Sequence, residues 1–104
     1  MVGVILTFQY GDDFDGAKVE GVAREVGPAF EGVPGLRMKL FTLDEATRRA
    51  LNIYLWESRE EATAFHTPEL VARATAAYGI PPTSIEFFDV AGMVDNSRAT
   101  EAVA

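Results

Sequence analysis

The residues best suited to chemistry cluster in residues 51–70, a stretch that holds the only Trp and the only His of the chain. His66 follows Trp56 by ten residues, and an imidazole with an ordinary pKa of about 6.5 exchanges protons at neutral pH. We therefore consider His66 as a proton shuttle for a phenol or an enol. The alternative is structural, because His66 also borders a predicted helix break at Thr67 and Pro68.

A second group of candidates lies on two neighbouring predicted strands. Arg37 and Lys39 share a face of the predicted strand at residues 36–43 because they are two residues apart. The facing side chains across the hairpin are an amide, a phenol and an indole: Asn52, Tyr54 and Trp56. If this face looks toward the helices, it forms a partly apolar cavity that holds an anionic or phenolic ring and stabilises its charge. The alternative is that Arg37 and Lys39 are edge charges that reach solvent.

Three further residues are candidate substrate contacts. Thr7 and Gln9 place polar groups on the face of the first strand that carries Ile5. Polar atoms inside a sheet need partners, so they bond either a ligand or, more commonly, an adjoining side chain. Phe65 lies on the helix that follows Ser58, and such an aromatic side chain forms either a pocket wall or, more commonly, part of the core.

The composition excludes several classes of site. The net charge of −7 and the lack of a basic run argue against nucleic acid. The chain has no Cys and one His, so we expect no disulfide, no metal site and no cysteine nucleophile. No phosphate-binding loop or Ser-His-Asp arrangement is present. The apolar run at residues 2–8 is too short to span a membrane, and we expect a cytoplasmic protein without a membrane contact.

Hydrophobic periodicity predicts the elements that position these residues. Strands are expected at residues 2–10, 36–43, 51–56 and 83–91, and helices at about 15–30 and from Ser58 to Tyr78 with a break at Thr67 and Pro68. The order βαββαβ is typical of a ferredoxin-like α+β fold, a four-stranded antiparallel sheet with two helices on one face. We expect a single domain at residues 1–92 and a C-terminal tail at residues 93–104.

The predicted sheet has one face that the helices do not cover. The first strand carries Val4, Leu6 and Phe8 on one side and Ile5 on the other, so both faces are partly apolar. An apolar open face needs a cover, and a second copy of the same sheet is the simplest one. We therefore expect a homodimer with a barrel-like core.

Several short blocks resemble the YdhR-like mono-oxygenase family. They are Pro34-Gly35-Leu36, Lys39, Thr42, residues 53–58 (IYLWES), Ala62, Pro68-Glu69, Tyr78-Gly79, residues 87–90 (FFDV) and Asp95-Asn96. The resemblance covers about residues 3–96 and implies the dimeric α+β barrel superfamily, alongside the antibiotic-biosynthesis monooxygenases. That superfamily includes cofactor-free oxygenases, haem-degrading enzymes and isomerases, so fold does not settle function.

The resemblance also bears on individual positions. Lys39 occupies a position where the family usually has Lys, and in the antibiotic-biosynthesis branch a His commonly follows a strand-end Trp at the distance of His66 from Trp56. The haem-degrading relatives need an axial His near Ala74 or Thr75, neither of which can ligate iron. The resemblance therefore implies no haem.

These observations lead to one hypothesis and two alternatives. The protein is expected to be a monooxygenase without flavin, haem or metal, acting on a small aromatic, polyphenolic or enolisable molecule. His66 or Tyr54 helps to deprotonate this molecule, Arg37 or Lys39 holds its anion, and the anion reacts with dioxygen. The alternatives are an isomerase or cyclase that uses the same proton-transfer pocket, and a non-catalytic dimeric protein that binds a small molecule.

Overall fold

The computed structural model describes residues 1–97, and the end of the predicted tail, residues 98–104, lies outside this range. The strands are β1 Val2–Gln9, β2 Leu36–Asp44, β3 Arg49–Trp56 and β4 Ser84–Asp89. The helices are α1 Gly16–Val26, α2 Arg59–Phe65 and α3 Pro68–Tyr78. The predicted order is confirmed, and the expected break divides the second helical segment into α2 and α3.

The four strands form one antiparallel sheet in the order β2-β3-β1-β4. β1 lies at its centre between β3 and β4, with Val4 opposite both Tyr54 and Phe87. This is the predicted ferredoxin-like arrangement. The helices cover one face, which carries Lys39, Asn52 and Tyr54 and borders the same cavity as α1 and α3.

The two-residue period of the strands places the core on the helix side. The alternate side chains of β1, from Val2 to Phe8, are at most 4% exposed. The alternate side chains of β3, from Ala50 to Trp56, face the same way and are equally buried. The burial of Trp56, Tyr54 and Phe8 provides much of the hydrophobic stabilisation, at about 25 cal/mol per Å² of apolar surface.

Side-chain caps position the helices over this core. Asp15 accepts the backbone N–H of Lys18 at the start of α1. Ser58 accepts the N–H of Glu61 at the start of α2, and Thr67 accepts the N–H of Leu70 at the start of α3. Such caps contribute about 1 kcal/mol each.

The first helix is shorter than its hydrophobic stripe predicts. α1 ends at Val26, and a short 3-10 helix, Gly27–Phe30, replaces the last predicted turn. Pro28 has no N–H to continue the α-helical hydrogen bonds, so the chain tightens there. As a result, Phe30 packs against Phe41 and Tyr54.

The other side of the sheet, here called the open face, is not covered by α1, α2 or α3. It consists of the side chains of Ile5, Thr7, Gln9, Met38, Leu40, Thr42, Asp44, Arg49, Leu51, Ile53, Leu55, Ser84, Glu86 and Phe88. Met38, Leu40 and Phe88 are 45–50% exposed. Within residues 1–97, no helix is long and apolar enough to cross a membrane.

Candidate functional site

A cavity of about 450 Å³ lies between the sheet and helices α1 and α3. Its lining residues come from α1, the 3-10 helix, α2, α3 with its cap, and the helix side of β2 and β3. They are Val22, Val26, Ala29, Phe30, Lys39, Phe41, Asn52, Tyr54, Phe65, Thr67, Glu69, Leu70, Arg73, Ala74, Ala77 and Tyr78. Ala29, Glu69 and Arg73 are exposed, whereas Asn52, Tyr54 and Tyr78 are buried. The cavity is therefore open at the helices and ends at the sheet, and its size suits a small organic ligand.

Asn52 places an oriented amide at the inner end of the cavity. It is 2% exposed, and its Oδ1 accepts a hydrogen bond of 2.9 Å from the Tyr78 hydroxyl. Tyr78 is in turn stacked on Phe8, with 4.2 Å between the ring centroids. Because Oδ1 is occupied, Nδ2 is the end of the amide that remains to donate to a ligand.

Tyr54 adds a phenol beside this amide. The residue is 3% exposed, and its hydroxyl has no hydrogen-bond partner among residues 1–97. Burial, with a smaller contribution from Tyr78, raises the pKa of Tyr54. The hydroxyl therefore keeps its proton at neutral pH and acts as a hydrogen-bond donor rather than as a base.

Lys39 brings an amine to the same wall, where it lies opposite Tyr54 in the β2–β3 register. Its Nζ lies over three rings, 3.3 Å from the centroid of Phe30, 4.2 Å from that of Phe41 and 4.6 Å from that of Tyr54. Ring faces attract an ammonium, but they replace only part of its hydration. Burial therefore lowers the pKa of Lys39 to about 7.

Trp56 and His66 form a pair that does not line the cavity. The indole Nε1 donates to His66 Nε2 over 3.2 Å, and His66 Nδ1 is buried without a partner in the described part of the chain. Burial and, to a smaller extent, the charge of Lys39 lower the pKa of His66 to about 4. The role of His66 as a proton shuttle stays a prediction, and the geometry supports no direct ligand contact for either residue of the pair.

Arg37 does not join Lys39 in lining the 450 Å³ cavity, although both residues line a smaller cavity of about 270 Å³. The register of β2 against β3 shifts between Leu36 and Met38, so a β-bulge at Arg37 interrupts the alternation. Arg37 is exposed and pairs with Glu57 at 3.4 Å, away from the 450 Å³ cavity.

Thr7 and Gln9 also lie outside this cavity. Thr7 is on the open face, opposite Leu51 and Ser84. Gln9 is exposed, and its Nε2 donates to the carbonyl oxygen of Thr47 over 2.8 Å. Gln9 therefore bonds the backbone of the protein rather than an adjoining side chain, and neither residue lines the cavity.

Of the nine residues predicted for the site, the structure brings Lys39, Asn52, Tyr54 and Phe65 together around the cavity. Sequence reasoning missed Arg73 and Tyr78. A signal for both exists, because Leu70, Arg73, Ala74, Ala77 and Tyr78 fall on one helical stripe of α3. Within residues 1–97, no group of three or more His, Cys, Asp or Glu side chains is placed to hold a metal ion.

Comparison with known families decides the affiliation of the chain. The family model described as "Putative mono-oxygenase ydhR" matches residues 5–102. The chain belongs to this family. The match to the ydhR family confirms the resemblance found in the sequence, whereas the comparison with curated proteins gives no match.

Solved structures confirm the fold of this ydhR family member. A "putative antibiotic biosynthesis monooxygenase" from Deinococcus radiodurans is 15% identical, covers 91% of this chain and 97% of its own, and has a TM-score of 0.66. SnoaB, a cofactor-independent oxygenase from Streptomyces nogalater, is 19% identical over 89% of this chain and 95% of its own, with a TM-score of 0.63. The monooxygenase ActVA-Orf6 of Streptomyces coelicolor, in complex with nanaomycin D, is 16% identical over 90% of each chain, with a TM-score of 0.62.

Proposed function

We propose that the protein is a cofactor-independent monooxygenase that acts on a small aromatic or enolisable molecule in the 450 Å³ cavity. The observation that carries the proposal is the inner wall of the cavity. There the amine of Lys39, the amide of Asn52 and the phenol of Tyr54 border an apolar space. Membership of a mono-oxygenase family and the likeness to a cofactor-independent oxygenase support this proposal.

Lys39 is the base in this proposal. An amine with a pKa of about 7 is largely neutral just above pH 7 and takes a proton from a phenol or an enol. The ammonium so formed then pairs with the substrate anion. Asn52 Nδ2 and the Tyr54 hydroxyl donate hydrogen bonds to the anionic oxygen, while Phe30 and Phe65 hold the ring.

The electron-rich anion then reacts with dioxygen. A substrate carbon that bears two hydrogens becomes a carbonyl, one oxygen atom enters the product, and the other leaves as water. The substrate supplies the electrons, so no other reductant is required. The protein contributes orientation, exclusion of water and stabilisation of the anion.

Dioxygen consumption by the purified, chelator-treated protein with anthrones, which bear such a carbon with two hydrogens, tests this proposal. We expect turnover that falls about 100-fold in Lys39→Met and in Tyr54→Phe, which remove the base and one anion donor. Arg37→Ala is the matched control, because it removes a cation outside the cavity and is expected to keep full activity. Equal turnover in Lys39→Met and wild type would contradict the role of Lys39.

The same assay has an expected pH dependence. The neutral amine is the active form, so the rate rises as the pH increases from about 6 to about 8, through the Lys39 pKa of about 7. The other ionisable groups around the amine are Tyr54, Tyr78, Glu69 and Arg73 in the cavity, His66 behind it, and Glu31 and Arg37 in a smaller cavity that Lys39 also lines. A rise that survives in Lys39→Met and disappears in His66→Gln would instead identify His66 as the base.

We further propose that the open face is covered by a second copy of this chain. Four strands about 4.8 Å apart, with a rise of about 3.3 Å per residue, present a flat apolar face of about 20 Å by 20 Å. Another flat sheet matches this shape at a distance of about 10 Å. Within residues 1–97 the charged residues on this face are Glu86 and, at one end of β2 and β3, Asp44 and Arg49, which lie opposite each other. The rest of the face carries no charge to desolvate.

A further inference from the structure

The environment of the Lys39 amine permits chemistry that the proposed oxygenation does not use. Among residues 1–97, Nζ has no carboxylate oxygen within 4.0 Å and no hydrogen-bond acceptor, and the faces of Phe30, Phe41 and Tyr54 surround it. Most lysines in proteins are held as hydrated or paired ammonium ions. An unpaired, desolvated amine is instead the form that attacks carbonyl carbon.

The amine is also accessible. Lys39 lines the 450 Å³ cavity and a second cavity of about 270 Å³, and it shares this position with Phe30 and Phe41. The three side chains therefore form the wall between the two spaces. A small molecule in the larger cavity reaches the amine from the side of Asn52 and Tyr54.

The neighbouring donors suit a carbonyl compound. Lys39 lies opposite Tyr54, and Phe41 lies opposite Asn52 in the register of β2 and β3, so amine, phenol and amide occupy adjacent positions of one sheet face. Asn52 Nδ2 and the Tyr54 hydroxyl can both donate to a carbonyl oxygen. The aromatic rings of Phe30, Phe41 and Phe65 favour a flat apolar substituent.

We propose that Lys39 captures small aromatic aldehydes as an imine inside this cavity. The neutral amine forms a C–N bond with the carbonyl carbon, and the electron pair of the C=O π bond moves to oxygen, which Asn52 and Tyr54 stabilise. A proton passes from nitrogen to oxygen to give the carbinolamine. The second N–H proton and the hydroxyl then leave as water, and the C=N bond forms without any change in the number of electrons. This activity uses the same cavity as the proposed oxygenation but needs no dioxygen.

The test uses the presence of just two lysines in the chain, Lys39 and Lys18. Lys18 is exposed on α1 and serves as an internal control. The full-length protein is incubated with benzaldehyde and sodium cyanoborohydride at pH 7 under argon, and peptide mapping by mass spectrometry locates the benzylated amines. We expect Lys39 to be modified at least about 10-fold faster than Lys18, because a hydrated lysine is almost entirely protonated at this pH.

Two variants complete the test. Lys39→Arg keeps a long cationic side chain and is expected to abolish the rapid modification, whereas Lys18→Arg is expected to leave it unchanged. Circular dichroism verifies that both variants are folded. Modification of Lys39 at or below the rate of Lys18, or no modification at all, would overturn the proposal. Because the reaction runs without dioxygen, its failure is distinct from a failure of the oxygenase assay.

Discussion

Asn52 and Tyr54 show at the scale of single residues how burial prepares a polar group for a ligand. The Asn52 side chain is oriented by Tyr78 through its oxygen, and the Tyr54 hydroxyl has no partner in the described part of the chain. Both residues line the cavity. A ligand that accepts hydrogen bonds from both groups meets donors that are already oriented, which favours binding of an anionic or carbonyl oxygen.

The Trp56–His66 pair yields a prediction at the same scale. His66 Nε2 accepts from the indole N–H, and protonation of His66 removes this acceptor. Because burial lowers its pKa to about 4, we expect the fluorescence of the single Trp to change with a midpoint near pH 4. His66→Gln retains an acceptor that does not titrate, so its fluorescence is expected to stay constant over this range. A midpoint near 6.5 in the wild type would contradict the burial of His66.

The lowered pKa of His66 also makes the free energy of unfolding depend on pH. The unfolded chain binds a proton at His66 below pH 6.5, the ordinary pKa of the side chain, whereas the folded chain binds it only near pH 4. The unfolded state therefore takes up more protons between these values. We expect the free energy of unfolding to fall by about 2 kcal/mol relative to His66→Gln as the pH drops through this window.

At the scale of the elements, the turn just before β2 contains a glycine that contacts two other elements. Gly35 has a φ of +80°, and its carbonyl oxygen accepts the N–H of Glu57 over 2.8 Å. A Cβ at this position would overlap the Glu61 carboxylate, which is engaged in the cap of α2 with Ser58. The start of β2, the end of β3 and the start of α2 therefore depend on one glycine.

We expect Gly35→Ala to lower the free energy of unfolding by about 2 kcal/mol or more, because the left-handed backbone alone costs about 1–2 kcal/mol. Gly32→Ala is the matched control, since Gly32 has a φ of +73° but no heavy atom within 4 Å of an added Cβ. Urea unfolding of both variants measures the difference. Equal losses would show that contact with Glu61 contributes nothing.

At the scale of the whole molecule, the open face is an apolar surface that α1, α2 and α3 leave uncovered. We expect the wild type to sediment as a dimer of 11.3 kDa chains. Leu40→Lys places a charge on this face, where Leu40 is 47% exposed, and is expected to weaken the dimer at least about 10-fold.

Ile85→Lys is the control for this experiment. Ile85 is 38% exposed but lies opposite Leu6 on the helix side of the sheet, so its substitution is expected to leave the dimer intact. Analytical ultracentrifugation of the three proteins at 10-fold dilutions compares them. A wild type that is monomeric at about 100 μM would rule out the second copy as the cover of the open face.

The sequence by itself determined which elements form and which residues share a strand face. A period of two and a helical period need only neighbouring residues, so the βαββαβ order and the common face of Lys39 and Phe41 along β2 follow from local spacing. The family could also be recognised from short sequence blocks such as residues 53–58, and the family model confirms it. The grouping of Asn52 with Tyr54 likewise follows from the alternation along β3 alone.

Only the tertiary structure decided which of these residues meet around a cavity. The bulge at Arg37 interrupts the alternation of β2, and Arg37 does not line the 450 Å³ cavity. No local pattern in the sequence predicts such a bulge. Helix α3 brings Arg73 and Tyr78 to the sheet, while the contact with Trp56 takes His66 out of the cavity wall. These outcomes depend on packing between elements that are distant in the chain, and burial by such packing also lowers the pKa of Lys39.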